Sequence, residues 1–300
     1  MADIESRVAR VRDIAGDALI AIVGPTASGK TELAIRVAEE LGGEIVSADS
    51  VQIYERFDIG SGKPTSEERA RARHHLIDAK DPLEPLDAAR FADMARAAIL
   101  DIEGRGKRAI LCGGTFLWAK ALLYGLAEAP PANPVVRARH RAIVDAEGRT
   151  ALHVLLKAVD PRSADRLHPN DLVRVSRALE VHELSGRALS EWQSEHAAQG
   201  PRIKSRLIAI SLDADTQTAR IEARARTWLE SGWLEEEQAL LDAGYENARA
   251  MGSVGYREVR LHLQGALAKD DLHRAIVRST RIFARRQRTF LNHTAVTWLE

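Results

Sequence analysis

The 300-residue chain is 45% hydrophobic and 29% charged, a balance that suits one large folded domain or two modest ones and excludes a disordered or membrane-embedded chain. Lys plus Arg equals Asp plus Glu at 43 each, so the total charge names no partner, and any nucleic-acid surface must come from local clustering. The lone Cys112 excludes a disulfide framework and argues against a cysteine zinc site.

Met1 to Gly16 is polar and charged, without the apolar stretch of a signal peptide, and no window approaches the ~18 apolar residues of a membrane span. A cytoplasmic protein is expected. Ala18 to Val23 (ALIAIV) is short and apolar and ends at Gly24-Pro25, so it reads as a buried parallel strand. From Thr31 to Leu41 the apolar residues fall at helical spacing, and Gly42-Gly43 closes that helix. Further strands are predicted at Glu44 to Ala48, Arg108 to Cys112 and Leu207 to Leu212. Strands alternating with helices predict an α/β fold, a parallel sheet with helices on both faces.

A turn-rich boundary, Ala129-Pro130-Pro131-Ala132-Asn133-Pro134, opens a stretch of different character. Val135 to Trp192 is helical in pattern, with helix starts at Asp160-Pro161 and at His168-Pro169-Asn170-Asp171, and Gln199-Gly200-Pro201 ends it. The expected organisation is a core of residues 1–129 and 201–300 with an all-helical insertion over 130–200. In the last long helix Arg274, Arg278, Arg281, Arg285 and Arg288 share one face, while Ile276, Thr280, Phe283, Gln287 and Phe290 share another that can pack inward. With Arg137, Arg139, Arg141, Arg174 and Arg177 of the insertion, that stripe suggests a positively lined cleft suited to RNA phosphates. A solvated helix face is the plainer reading of the same arginines. Trp192, Trp228 and Trp233 are expected in the core, and His74-His75 is expected to be structural.

Gly24-Pro25-Thr26-Ala27-Ser28-Gly29-Lys30-Thr31 fits G-x-x-x-x-G-K-[ST] in full and lies between a predicted strand and a predicted helix. Glycines let the backbone wrap an anion, successive N–H groups point inward, and the helix N-terminus adds its positive end. Lys30 supplies a point charge to phosphate, and the Thr31 hydroxyl is a candidate Mg²⁺ ligand. Asp49, in Ser47-Ala48-Asp49-Ser50, stands at the strand edge where ligands bind in open α/β sheets. It reads equally as a group that accepts a proton or holds Mg²⁺ through water and as a helix N-cap. Gly113-Gly114-Thr115 ends the next strand at the same edge, where the Thr115 hydroxyl could reach a substrate or simply sit in a turn.

GPTASGKT, SADSVQIY with DIGSGKPT, HHLID, CGGTFLWAKALLYGL, HPNDLVRVSRALEV, VGYRE and TRIFARRQ, in this order, resemble the tRNA dimethylallyltransferases over nearly the whole chain. The resemblance implies a P-loop kinase-like core whose loop, nucleotide-binding in kinases, holds dimethylallyl diphosphate. It implies a helical insertion that grips the tRNA anticodon stem-loop, Mg²⁺ as cofactor, and prenylation of N6 of adenosine 37. By the same resemblance Asp49 is the catalytic base, Lys30 and Arg224 hold the diphosphate, and Thr115 lies near the reacting centre. Asp49, Ser50, Val51, Gln52, Thr115, Arg137, Val173, Arg174, Val175, Ser176 and Arg177 would meet tRNA. A monomer that touches no membrane is expected.

The chain departs from the family pattern at Val51, at Ser61-Gly62, at Ser253-Val254 and at Phe290-Leu291-Asn292, where the family carries Trp-Phe-Arg. The last change removes a positive charge. The competing readings are a P-loop small-molecule kinase, a prenyltransferase acting on free AMP, and a non-catalytic RNA-binding protein.

Overall fold

Leu19–Val23 (β1) is apolar and buried at every position, as a parallel strand covered on both faces must be. The other strands are Glu44–Ser47 (β2), His74–His75 (β3), Ala109–Gly113 (β4), Ser205–Ile210 (β5) and Thr297–Leu299 (β6). Among the described residues, 4–292 and 294–300 of a computed structural model, they form one parallel sheet in the order β3-β2-β4-β1-β5-β6. The four predicted strands are present within one or two residues of their expected ends. The two edge strands lie outside the predicted set; such short strands are held by a neighbour, β2 for His74–His75 and β5 for Thr297–Leu299.

The helices of this layer are Ile4–Ala15 (α1), Lys30–Leu41 (α2), Ser66–Arg71 (α3), Ala88–Gly104 (α4) and Phe116–Tyr124 (α5). Val8, Val11, Leu33 and Val37 of α1 and α2 join Ile20, Ile45, Ile110 and Ile208 of the sheet in one buried core. Gly42 ends α2 in the left-handed conformation, as its sequence position predicts. Glu44, fully buried at the start of β2, accepts from Arg105 at 2.6 and 2.7 Å, from Lys107 at 2.8 Å and meets His75 at 2.7 Å. His75 is therefore structural, as expected.

The chain divides into two compact units, Met1–Leu123 with Arg202–Glu300, and Tyr124–Pro201. The second is wholly helical: Pro134–Glu147 (α6), Arg149–Val159 (α7), Pro161–Arg166 (α8), Leu172–Ser185 (α9) and Leu189–Ala198 (α10). Asp160 and Asp171 cap α8 and α9 through side-chain oxygens, the role their sequence context predicts. Leu152, Leu156, Val175, Ala178 and Leu179 give this unit a core of its own.

Glu180 is fully buried in that unit and accepts from the Asn133 backbone at 2.6 Å, from Arg137 at 2.9 and 3.1 Å and from Arg177 at 2.6 Å. Burial pushes its carboxyl upward, but these bonds outweigh burial and hold it below the usual glutamate range. Glu180→Ala should cost about 2–3 kcal/mol in denaturant unfolding, below the 3–5 kcal/mol of a wholly buried pair because the arginines keep water contact. An unchanged midpoint would show that the cluster is ornamental to folding.

The chain closes with Ala214–Glu230 (α11), Trp233–Asp242 (α12), Tyr256–Leu263 (α13) and Lys269–Asn292 (α14). No helix among the described residues is long and apolar enough to cross a membrane.

Candidate active site

At the carboxyl end of β1 the chain turns through Gly24 to Gly29 and enters α2 at Lys30. Gly29 has φ 90° and Ala27 has φ 62°, so two loop residues lie in the left-handed region. A side chain there is strained by roughly 1 kcal/mol, a cost accepted where a backbone must wrap a ligand. Lys30 is half-buried, and Nζ lies 3.5 Å from the Pro25 carbonyl oxygen. Burial pushes its ammonium below the ordinary lysine range, with Cys112 and Asp49 pulling it back. Cys112 is a buried free thiol raised to about 11 by its burial, the environment of an inert cysteine.

Arg224, on α11, donates to the Thr26 hydroxyl and lies 4.6 Å over the Trp228 ring. Burial lowers it to about 10, with Asp49 pulling it back. Neither Lys30 nor Arg224 is ion-paired with a carboxylate among the described residues. Two half-buried cations without a carboxylate partner, at the loop that leads into α2, make a site suited to an anion.

Asp49 follows β2. Its Oδ1 accepts from the Val51 backbone at 2.9 Å and from Gln52 at 3.3 Å. Oδ2 accepts from no described group, and Asp49 lines the cavity that Lys30, Thr31 and Arg224 also line. No helix starts at Asp49, contrary to the N-cap expectation: Oδ1 closes a turn instead. Thr115 accepts from the Ser50 backbone at 3.0 Å and donates to the Ser50 hydroxyl at 3.2 Å, pinning the turn that carries Asp49. Gln52 reaches Ser61 and Gly62 carbonyls at 3.3 and 2.8 Å. Val51 lines the cavity.

The cavity is about 430 Å³ and lies wholly within the sheet-bearing unit. Its polar lining includes Thr26, Lys30, Thr31, Asp49 and Arg224; its apolar lining includes Ile221, Ala225, Trp228, Ile276 and Phe283. Trp228, expected in the core, is partly exposed and lines the cavity instead, beside Phe283, which is exposed. Trp192 is partly exposed too, under Arg187 at 4.7 Å, and Phe290 stacks on Phe116 at 5.1 Å. Of the three tryptophans expected in the core, Trp233 alone is fully buried. It presses on Gly60, where a Cβ would come within 2.2 Å of the indole. Glu236 holds the same loop through the Asp58, Ile59 and Gly60 amides at 3.0, 2.7 and 3.5 Å.

A family model described as IPP transferase matches residues 52–294. The tRNA dimethylallyltransferase of Sorangium cellulosum is 63% identical over 94% of this chain and 90% of its own length. The chain belongs to the IPP transferase family. A crystal structure described as full-length tRNA isopentenylpyrophosphate transferase from Bacillus halodurans superposes with TM-score 0.69 at 35% identity, covering 94% of this chain and 89% of that one. A eukaryotic dimethylallyltransferase crystallised acting on tRNA gives TM-score 0.70 at 26% identity, over 91% of this chain and 69% of that one. The P-loop kinase-like α/β fold expected from the sequence is the one this family shares. The loop and Asp49 precede the segment that the IPP transferase model matches, so their reading rests on their own geometry.

In this IPP transferase the helical unit carries the other candidate RNA contacts. Val173 and Arg174 open α9 and are exposed, Val173 by 80%. Val175 points into the unit's core, so its side chain anchors the helix. Ser176 meets His140 Nδ1 at 2.8 Å, and His140 Nε2 meets Glu183 at 2.9 Å. Arg137 and Arg177 share Glu180, which fixes their guanidinium planes while Arg137 keeps its outer edge in water. Of the arginine stripe on α14, Arg274 pairs with Asp271 and Arg288 turns to Gln217. Arg278, Arg281 and Arg285 are exposed and have no ion pair among the described residues.

Thr31 Oγ lines the cavity and makes no side-chain hydrogen bond among the described residues, and Asp49 Oδ2 is open. Both are hard oxygen donors, the kind that fits Mg²⁺. No group of three or more His, Cys, Asp or Glu converges into a metal cage among the described residues. A hydrated Mg²⁺ resting on a diphosphate needs only one or two protein oxygens, so the donor set fits.

Gln217, Glu236 and Gln287 were not singled out as site residues from the sequence. Gln287 carries the clearest signal: a polar residue on the inward face of an amphipathic helix has to find partners.

Proposed function

We propose that this chain transfers the dimethylallyl group of dimethylallyl diphosphate to N6 of adenosine 37 in tRNA, giving N6-dimethylallyladenosine and diphosphate. What carries the reading is the pair of half-buried cations without a carboxylate partner, Lys30 and Arg224, set at a phosphate loop that shares its cavity with Asp49.

The allylic C1–O bond breaks, C1 joins N6, and one N6 proton goes to Asp49 Oδ2. Negative charge gathers on the leaving diphosphate, where the loop amides, Lys30 and Arg224 stabilise it as it develops. N6 is a poor nucleophile because its lone pair is delocalised into the ring, so hydrogen bonding to Asp49 and proton removal favour attack. Thr115 keeps Asp49 in place by pinning Ser50. The apolar lining, with Trp228 and Phe283, matches a five-carbon hydrocarbon and keeps water from the allylic carbon. Mg²⁺, held through Thr31, would add positive charge on the diphosphate oxygens. The adenine leaves its stack to reach the cavity, at a cost of a few kcal/mol. On tRNA, the anticodon stem-loop is met by Asp49 to Gln52 and Thr115, and by the helical unit through Val173, Arg174, Ser176, Arg177 and Arg137, with Val175 seating the helix. The chain works as a cytoplasmic monomer.

Incubation with dimethylallyl diphosphate and unmodified tRNA, followed by mass analysis of nucleosides, should give the prenylated adenosine. ATP turnover without that product would establish a kinase instead. Chelation by EDTA should abolish turnover, with excess Mg²⁺ restoring it; full activity in EDTA would remove the metal from the scheme.

A further inference from the structure

The phosphate loop is braced from behind by two glutamines. The Thr26 N–H donates to Gln287 Oε1 at 2.8 Å, and Gln287 Nε2 donates to the Gly114 carbonyl at 2.9 Å. On the other side of the same residue, the Thr26 carbonyl accepts from Gln217 Nε2 at 2.9 Å. Gln217 Oε1 accepts from Arg288 at 2.6 Å. Both glutamines are 6% exposed. Their amide orientations follow from their partners, since a backbone N–H demands the oxygen and a carbonyl demands the nitrogen.

These bonds grip the two peptide units on either side of Thr26. The second unit joins Thr26 to Ala27, whose φ of 62° lies in the left-handed region. Without a ligand, that residue gains by rotating the peptide and relaxing. The Gln217 grip on the carbonyl opposes the rotation, so the peptide leading into Ala27 keeps its orientation. Gly114 belongs to the same arrangement: a Cβ there would come 2.6 Å from Gln287 Nε2. Gln287 and Arg288 are neighbours on α14, so one helix sets both grips.

We propose that Gln287 is a positioning residue, which together with Gln217 locks the Thr26 peptides and so preorganises the loop for diphosphate. The proposal rests on reading this loop as the diphosphate cradle. Gln287 itself is buried and is not an RNA contact. Locking the loop in advance removes the ordering cost that diphosphate would otherwise meet on binding.

The test compares Gln287→Met, which keeps shape and removes both polar ends, with Gln217→Met and Gln287→Glu. Calorimetry with inorganic pyrophosphate and Mg²⁺ reads the cradle directly. Steady-state kinetics read KM for donor and for tRNA separately. Both methionine variants should bind pyrophosphate about tenfold to a hundredfold more weakly, the equivalent of one buried polar group left unpaired. KM for the donor should rise in parallel while KM for tRNA stays within about twofold. Gln287→Glu retains the acceptor for Thr26 but cannot donate to Gly114 and adds negative charge, so it should bind pyrophosphate more weakly than Gln287→Met.

Unchanged pyrophosphate affinity in a cooperatively folding Gln287→Met overturns the proposal, as does a loss confined to KM for tRNA. If Gln287→Met does not fold, Gln217→Met decides by the same criterion. A wild-type chain that binds pyrophosphate, loses it in these variants and yet never prenylates tRNA would leave the lock standing and reject the proposed reaction.

Discussion

Replacing Asp49 by Asn should lower kcat by about 10²–10⁴, the usual contribution of a general base, while leaving diphosphate binding in place. The substitution is chosen for what it keeps. The carboxamide of the Asp49→Asn variant would still present an oxygen to the Val51 and Gln52 amides, so the turn at the end of β2 survives. What it loses is the ability of the outer atom to take a proton. Lys30 and Arg224 also lose their nearby negative charge, so affinity for pyrophosphate should hold or improve. Single-turnover prenylation of tRNA measures the first effect and calorimetry the second. An Asp49→Asn enzyme with wild-type turnover would leave the turn-capping role as the residue's only one.

The second large effect concerns stability. Glu237 of α12 is fully buried, and neither carboxylate oxygen has a hydrogen-bond partner among the described residues. Burial raises its carboxyl to about 8, with Arg260 pulling it down and Glu236 pushing it up. In the unfolded chain an ordinary glutamate titrates near 4.3, about where Glu237 would then lie. The folded form therefore holds its proton more tightly than the unfolded form, and the difference favours folding fully only below that range. Stability is lost as pH rises from there through about 8, where the folded group ionises as well. Glu237→Gln mimics the protonated form at every pH. It should match the wild type at pH 4 and below and exceed it at pH 8 by about 2–3 kcal/mol, a value reduced for solvent reaching the charged form. Denaturant midpoints of both proteins across that pH range make the comparison. Parallel curves would mean that the carboxylate finds a partner when it ionises.

The legible parts of this molecule are the ones written in adjacent residues. The loop from Gly24 to Thr31 is a contiguous pattern whose geometry follows from glycine, a preceding apolar strand and a helix start. The central strands announce themselves because parallel strands buried on both faces are apolar throughout. Helix caps at Asp160 and Asp171 are equally local. The resemblance to the family added roles for Asp49, Thr115 and Arg224 that spacing alone left open.

Other features arise only when distant segments meet. Trp228 reads as core from its spacing, yet it walls the cavity because Arg224, one turn earlier on the same helix, covers its face. The edge strands His74–His75 and Thr297–Leu299 depend on partners far along the chain. Arg137 and Arg177 look like free cations in sequence and turn out to be joined by a buried Glu180.

By itself, then, the order of residues determined the layered α/β core, the phosphate loop and the family, because each is encoded in short-range pattern or in collinear blocks. Only the tertiary structure decided which oxygen of Asp49 is open, which cations lack partners and which glutamines brace the loop. Those properties depend on what long-range packing places within about 3 Å of a given atom, the range of a hydrogen bond, and no local pattern carries that information.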